Sequence, residues 1–291
     1  MQVSHDVPIL NPVSGGRQLL RLRIGHRASL WLGVVMVGAI ALAGVLASVI
    51  TNQSPSALNI DAALQAPSFV HPFGTDQFGR DMFARTLVAA RLDLPLAFAL
   101  VGTGFVVGTI LGTIAGWYGG LLDTVVARVI DVALAFPSLV LVLSIIGMRG
   151  PGIVSLYIAV SIFSWVFYAR LVRAEVRLAR QADYMRAAVA SDFSTARILI
   201  RHLVPNIIIQ PLVYASSDCV YALLLGASVS FLGLGIQPPG VEWGQMVSSG
   251  VAYVGDQWWI SAFPGLMIAI TGIGFSLIAD GLADLIRSGR D

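Results

Sequence analysis

The chain has 291 residues, of which 56% are hydrophobic and 12% are charged, and its formal net charge is +2. Soluble domains carry roughly 25% charged residues, so the composition excludes an ordinary soluble domain and indicates a membrane protein. The 18 basic residues are all arginine, and the absence of lysine excludes both a G-x-x-x-x-G-K-[ST] phosphate-binding loop and Schiff-base chemistry in this chain.

The first apolar stretch follows an arginine-rich start. Residues 28–60 contain no charged residue, and residues 30–50 are long enough to cross a bilayer. We predict a cytoplasmic tail over residues 1–29, a retained first membrane span over 30–50 and an external segment over 51–93. The arginines of the tail are Arg17, Arg21, Arg23 and Arg27.

Five further apolar runs follow, near residues 94–117, 125–148, 152–168, 207–232 and 258–282. They predict a five-helix core over residues 94–286 and a cytoplasmic C-terminus over 287–291. Fourteen of the 18 arginines then fall on the cytoplasmic side, which agrees with the positive-inside rule. Trp243, Trp258 and Trp259 fall at the external edge, where membrane proteins carry an aromatic belt. The sequence therefore predicts an all-α polytopic membrane protein with six transmembrane helices.

A ladder of four glycines lies in the second span. Gly104, Gly108, Gly112 and Gly116 recur every four residues, which places them on one helical face. Glycine allows a neighbouring helix to approach closely in lipid. We favour packing within the chain over a subunit interface for this face, and both alternatives keep it away from lipid. Pro137, early in the third span, predicts a kink there.

A polar segment, residues 170–206, separates the fourth and fifth spans and holds seven arginines and three acids. Its second half predicts a short helix, a turn and a second helix that Ser194 begins and Pro205 ends. Small alanine side chains on a protruding helix fit a groove on a soluble partner, and arginines pair with acids on its rim. The candidate docking residues are Tyr184, Arg186, Ala187, Ala188, Ser191, Asp192, Arg197 and Pro205.

This segment resembles the coupling loop of bacterial ABC-importer permeases, in which an alanine-rich motif docks on the ATPase subunit. Ala187 and Ala188 match the alanine pair, whereas Arg186 and Asp192 stand where the family usually has glutamate and glycine. Other segments resemble the dipeptide, oligopeptide and nickel permease subfamily: HPFGTDQFGRD at 71–81, AGWYGG at 115–120, YARLVR at 168–173 and FLGLGIQPP at 231–239. The likeness runs from about residue 71 to residue 287. It is greatest to the second, or C-type, permease of an oligopeptide importer.

The resemblance implies a type I importer permease in the bacterial inner membrane, with six spans and a cytoplasmic coupling-helix loop. Such a subunit pairs with a sister permease, contacts two ABC ATPase subunits and receives peptide from an external substrate-binding protein. The resemblance implies no catalysis by this chain and no cofactor, metal or nucleic acid bound to it, since ATP and magnesium bind the ATPases. The alternatives are a nickel or other small-solute permease of the same family and an ATP-independent carrier.

Asp218 lies within the fifth span, where an acid faces an interior or a water-filled cavity. Two roles remain open: it lines the pore, where it would meet a peptide amino terminus, or it bonds to a neighbouring helix. An ion channel would need more charges across several spans, and an intramembrane hydrolase would need a nucleophile with its base, so both fit poorly.

Several other charges predict structural ion pairs. Residue spacing suggests pairs within one helix for Asp76–Arg80 and Asp81–Arg85. Asp123 lies close in sequence to Arg128, which favours a structural pair there. A docking rim for the substrate-binding protein is the alternative for the first group.

Overall fold

The helices account for most of the computed structural model, which describes residues 26–191 and 193–288. Within those residues there is no β-strand. In chain order the α-helices are α1 (His26–Val45), α2 (Ala47–Ile50), α3 (Met82–Tyr118), α4 (Gly120–Leu134), α5 (Ser138–Arg149), α6 (Ile153–Ala179), α7 (Asp183–Ala190), α8 (Thr195–Ile198), α9 (Val204–Ile207), α10 (Ile209–Phe231), α11 (Trp243–Gly250) and α12 (Trp259–Ser288).

Five described helices, α1, α3, α6, α10 and α12, are long and apolar enough to cross a membrane. The pair α4 and α5 meets the same criterion together and is bent by 86° at its break, which gives up to six spans. The predicted all-α polytopic fold is therefore confirmed. Most of the predicted tail, residues 1–29, and residues 289–291 lie outside the described part of the chain.

Two spans are longer than their apolar runs suggest. α3 begins at Met82 because the Asp81 carboxylate caps it, accepting a hydrogen bond from the Ala84 amide at 2.7 Å. The segment predicted as external over 51–93 therefore ends in helix. α6 has 27 residues, about 40 Å of helix, which exceeds the ~30 Å apolar core of a bilayer. The polar segment at 170–206 thus begins as a continuation of α6 and not as a separate loop.

The glycine ladder of α3 faces α6 of the same chain. A Cβ added at Gly104 would lie 2.9 Å from the Ser164 carbonyl oxygen, and one at Gly112 would lie 2.7 Å from that of Ala169. Gly108 and Gly116 approach α6 as closely. Because two backbones at this separation leave no room for a side chain, α3 and α6 form a tightly joined pair.

The break between α4 and α5 falls at Ala135–Pro137 and confirms the kink predicted from Pro137. Pro137 lacks an amide hydrogen and adopts an extended conformation, with φ −60° and ψ 121°, directly before α5. The bend separates two short helices that could not each cross a bilayer, and it leaves an opening between α5, α6 and α10.

A cap of residues 51–81 and 233–258 covers the end of the bundle where α3 begins. Trp243 is fully buried in it and donates its indole N–H to the Thr86 carbonyl at 2.9 Å. Trp259, at the start of α12, donates to the Thr75 carbonyl at 3.1 Å. The aromatic-belt position predicted for these two tryptophans is therefore wrong, since both side chains are buried inside the protein. Trp258 is half exposed.

Candidate functional site

A cavity of about 340 Å³ lies beside the α4–α5 break, between those helices, α6 and α10. Among the described residues that line it, Asp218 alone is charged, and no basic side chain is present. The other lining side chains with rings or hydroxyl groups are Phe136, Phe163, Phe167, Tyr214, Tyr221, Ser138 and Ser217. The bend predicted from Pro137 and the acid predicted within the fifth span therefore meet at one place.

Asp218 both lines this cavity and bonds to a neighbouring helix. The Tyr168 hydroxyl of α6 donates to its Oδ2 at 2.9 Å. Among the described residues no donor bonds to its Oδ1. The two roles left open for Asp218 are thus compatible, because one carboxylate oxygen is held in place while the other remains available to the cavity.

The rings around Asp218 are ordered by contacts with each other. Tyr214 meets Tyr168 edge-to-face, with ring centroids 5.0 Å apart and planes at 77°. Tyr221 and Ser138 share a hydrogen bond of 2.5 Å across α10 and α5. These contacts hold Tyr214 and Tyr221 in position beside Asp218. The sequence did not point to these rings, because phenylalanine and tyrosine in an apolar span are indistinguishable from packing residues.

The α7 segment, described over residues 183–191 and 193–207, lies at the opposite end of the bundle from the cap. Its own small core contains Met185, Ile198, Leu203 and Ile207, packed against Val172 and Val176 on the extension of α6. Residues 199–203 form a π-helical turn that joins α8 to α9. The segment is thereby anchored to the long helix that also supplies the Tyr168 contact to Asp218.

The structure separates the two predicted docking alanines. Ala187 is exposed, together with Tyr184, Arg186, Ser191 and Arg197. Ala188 is buried on the face of α7 that carries Met185, so Ala187 is the accessible member of the pair and the coupling role of Ala188 stays a prediction. Helical geometry explains the difference, since neighbouring positions point about 100° apart. Asp192 lies outside the described residues.

Pro205 does not end a helix, contrary to the prediction. It is exposed in the first turn of α9, directly after the π-helical turn, and helix continues almost without interruption into α10. A proline is tolerated there because the first turn requires no internal N–H donor. Ser194 occupies the predicted N-cap position before α8 but makes no side-chain cap bond. Phe193, which the sequence did not single out, stacks on His202 with Arg197 4.6 Å above its ring.

Asp123 pairs with arginines of α6 and not with Arg128. Its carboxylate accepts hydrogen bonds from Arg173, one of them at 3.1 Å, and from Arg177. Arg180, one turn further on, donates to the Trp117 carbonyl at 2.5 Å. These bonds fix the start of α4 to the extension of α6, so the α7 segment and the bent helix pair are mechanically connected.

The cap holds its acids in a buried network. Asp76 accepts from the Arg80 side chain at 2.6 Å and from the Phe78 and Arg80 amides at 2.9 and 3.0 Å. The Asp76–Arg80 pair exists, but in a turn and not in a helix. The predicted Asp81–Arg85 pair is wrong, because Asp81 lies 2.7 Å from His71 while Arg85 approaches Asp76 at 3.8 Å.

A second pair of buried acids, one in the cap and one in α3, was not foreseen. Glu242 and Asp93 are 3% and 4% exposed and line the same small cavity. Glu242 accepts from the Gly244 and Gln245 amides at 2.9 and 2.8 Å, and Asp93 accepts from the Trp243 amide at 3.1 Å. Burial raises the pKa of Glu242, although its hydrogen bonds oppose the change. No local pattern joins two residues this far apart in the chain.

Five long apolar helices and one bent pair define a polytopic membrane protein, with one acid in a cavity beside the bend and exposed arginines on the α7 segment. The comparison with known families agrees. Residues 108–290 match the family described as binding-protein-dependent transport system inner membrane component. The chain belongs to this family, and it is a transport-system component that is not catalytic alone.

Its relatives align over nearly their whole length. A putative peptide transport system permease protein of Brucella suis is 38% identical over 264 residues, 91% of this chain and 89% of the relative. A dipeptide transport system permease protein of Alkalihalophilus pseudofirmus is 37% identical, with 98% of each chain covered. An oligopeptide transport system permease protein of Bacillus subtilis is 33% identical, covering 92% of this chain and 87% of the relative.

Proposed function

We propose that this chain forms half of the translocation pathway of an ATP-driven importer for peptides. The sister half is a second permease, two ATPase subunits bind the α7 segment, and a substrate-binding protein docks at the cap. ATP and magnesium bind the ATPases and not this chain. Both termini and the α7 segment then lie in the cytoplasm of a bacterial inner membrane, which agrees with the arginine distribution.

The observation that carries this proposal is the continuous connection between the α7 segment and the cavity. α6 runs from one to the other: it anchors Met185 through Val172 and Val176, and it supplies Tyr168 to Asp218. It also holds α4 through Asp123. A displacement of α7 by a partner is thereby transmitted to the helices that enclose the cavity, as a two-state transporter requires. The peptide cargo named for the three relatives supports the choice of substrate class.

The test is reconstitution of the full complex in liposomes with peptide uptake and ATP hydrolysis measured together. Ala187→Glu places a bulky charge on the exposed face of α7, so we expect uptake and peptide-stimulated ATPase activity to fall at least roughly tenfold, which corresponds to the loss of about 1.4 kcal/mol of productive docking. The amount of the chain in the membrane should not change, because Ala187 makes no buried contact.

Ala57→Glu is the matched control, since it introduces the same charge at an exposed position of the cap. Because the cap is the proposed docking end for the substrate-binding protein, this control is compared by its ATPase activity without that protein, which should equal that of the wild type. Uptake and ATPase activity in Ala187→Glu equal to those of the wild type would remove α7 as the ATPase contact. A wild-type complex that takes up no peptide with ATP would contradict the proposed function itself.

A further inference from the structure

We propose that the Asp218 cavity is a transient binding site for the α-ammonium group of the peptide as it crosses. The inference rests on the proposed function and names the chemical group that the pathway selects. It implies that this chain, and not the substrate-binding protein alone, distinguishes peptides with a free amino terminus from blocked ones.

The charge of the lining residues favours a cation in this cavity. Asp218 is the single charged residue among the described residues lining the cavity, so its carboxylate has no basic partner there. Its Oδ2 is held by Tyr168 at 2.9 Å, and its Oδ1 remains open to a donor. A cation entering this space supplies the opposite charge that a carboxylate inside a membrane protein lacks.

The other residues that line the cavity indicate which kind of cation would bind there. An ammonium group has three N–H donors, and the cavity offers the carboxylate, the Ser217 hydroxyl and the aromatic faces of Phe167, Tyr214 and Tyr221. Aromatic faces attract ammonium groups within ~6 Å of the ring centroid. A divalent metal ion prefers several carboxylate, imidazole or thiolate ligands, and this wall holds one carboxylate.

The space is of a size that suits a terminal residue. A volume of about 340 Å³ lies at the lower end of small-molecule sites. A smaller space of about 60 Å³ adjoins it and is lined by the same Asp218, Tyr221 and Ser138 together with Leu100 and Val160 of α3 and α6. Asp218 therefore borders both spaces.

The experiment compares two peptides in proteoliposomes that contain the complete transporter and its binding protein. One peptide has a free amino terminus and the other is its N-acetylated analogue, chosen from those that the purified binding protein captures by calorimetry. The ratio of their uptake rates is measured for the wild type and for Asp218→Asn. Since the binding protein is the same in both, its own preference cancels when the two ratios are divided.

We expect Asp218→Asn to reduce the preference for the free amino terminus by roughly five- to tenfold, because asparagine keeps the shape and an acceptor for Tyr168 but lacks the charge. Tyr221→Phe should retain more of the preference than Tyr221→Leu, since only the first keeps the aromatic face. Asp280→Asn removes one exposed charge on α12, which does not line the cavity, and should leave the ratio unchanged.

Three outcomes separate the possibilities. A ratio that is identical in the wild type and in Asp218→Asn overturns the ammonium site, even if both peptides cross more slowly, because Asp218 would then serve packing alone. An equal loss of preference in Asp280→Asn also overturns it. No ATP-dependent uptake of either peptide by the wild type contradicts the proposed function, and the site falls with it.

Discussion

In the cap, Asp76, Asp81 and Glu242 are buried and their carboxylates accept hydrogen bonds from the backbone and from arginine. In the α7 segment, Asp183 and Arg186 are exposed and approach each other at 3.8 Å only. Buried charges are kept in a folded protein when their hydrogen bonds are complete, whereas exposed pairs contribute little. The cap is therefore held by its own contacts, while the exposed face of the α7 segment makes few contacts within the chain, as the proposed docking of a partner requires.

The largest effect is expected when a buried carboxylate of the cap is removed. Asp76→Ala leaves Arg80 and two backbone amides without their acceptor, so we expect a loss of about 3–5 kcal/mol of stability and much less folded chain in the membrane. Thermal unfolding in detergent, followed by fluorescence-detected gel filtration, measures the change. Asp183→Ala, at the exposed pair, is the control and should unfold with the wild type. Equal effects of the two substitutions would contradict the comparison.

A second test acts on the helix pair that joins the two regions. Gly108→Leu inserts a side chain where α3 lies against Trp165 and Tyr168 of α6, and we expect a loss of about 1–3 kcal/mol or more from overpacking. Gly102→Leu makes the same change on α3 at a position with open space beyond it, and leucine favours helix. The unfolding temperatures of the two variants should therefore separate. If both unfold alike, the α3–α6 contact is not close enough to exclude a side chain.

The sequence could predict what depends on local pattern. Apolar length identified the spans, the four-residue repeat placed the ladder on one face, and Pro137 marked the break. It could not predict that Asp93 shares one buried space with Glu242 and bonds to Trp243, which is 150 residues further along the chain. The burial of Trp243 and the pairing of Asp123 with α6 depend on the same long-range packing.

In the α7 segment, the structure differs from the prediction because of local packing and not because of long-range pairing. The sequence of an alanine pair does not show which alanine faces a partner and which faces the chain itself. The exposed Ala187 and the buried Ala188 could therefore not be distinguished without knowing where Met185 packs. Pro205 usually marks the end of a helix, but a π-helical turn before it accommodates the ring and lets helix continue. Both cases show that residue type gives a tendency and that tertiary packing decides its outcome.

The smallest expected effect is the change of stability with pH that the buried Glu242 causes. It tests the contrast between the buried acids of the cap and the exposed acid of α7. Burial raises the pKa of this carboxyl above its ordinary value near 4.5, so the folded cap binds its proton more strongly than the unfolded chain does. Stability from this group is therefore fully present below about pH 4.5 and declines as pH rises through the raised value. One proton changes the free energy of unfolding by at most about 1.4 kcal/mol per pH unit.

Glu242→Gln should flatten this decline, because glutamine does not titrate. Its single carbonyl oxygen replaces one of the two acceptors that serve the Gly244 and Gln245 amides, so the slopes with pH are compared and not the absolute stabilities. The unfolding temperature of the wild type should fall by a few degrees more than that of the variant as pH is raised, since a large domain loses roughly 2–4 °C per kcal/mol. Asp183→Asn, exposed at the other end of the molecule, should keep the wild-type slope. Parallel pH profiles for the wild type and Glu242→Gln would mean that the cap stabilises the ionised carboxylate as well as water does, and the contrast between a buried, self-supported cap and an exposed α7 segment would then rest on Asp76 and Asp81 alone.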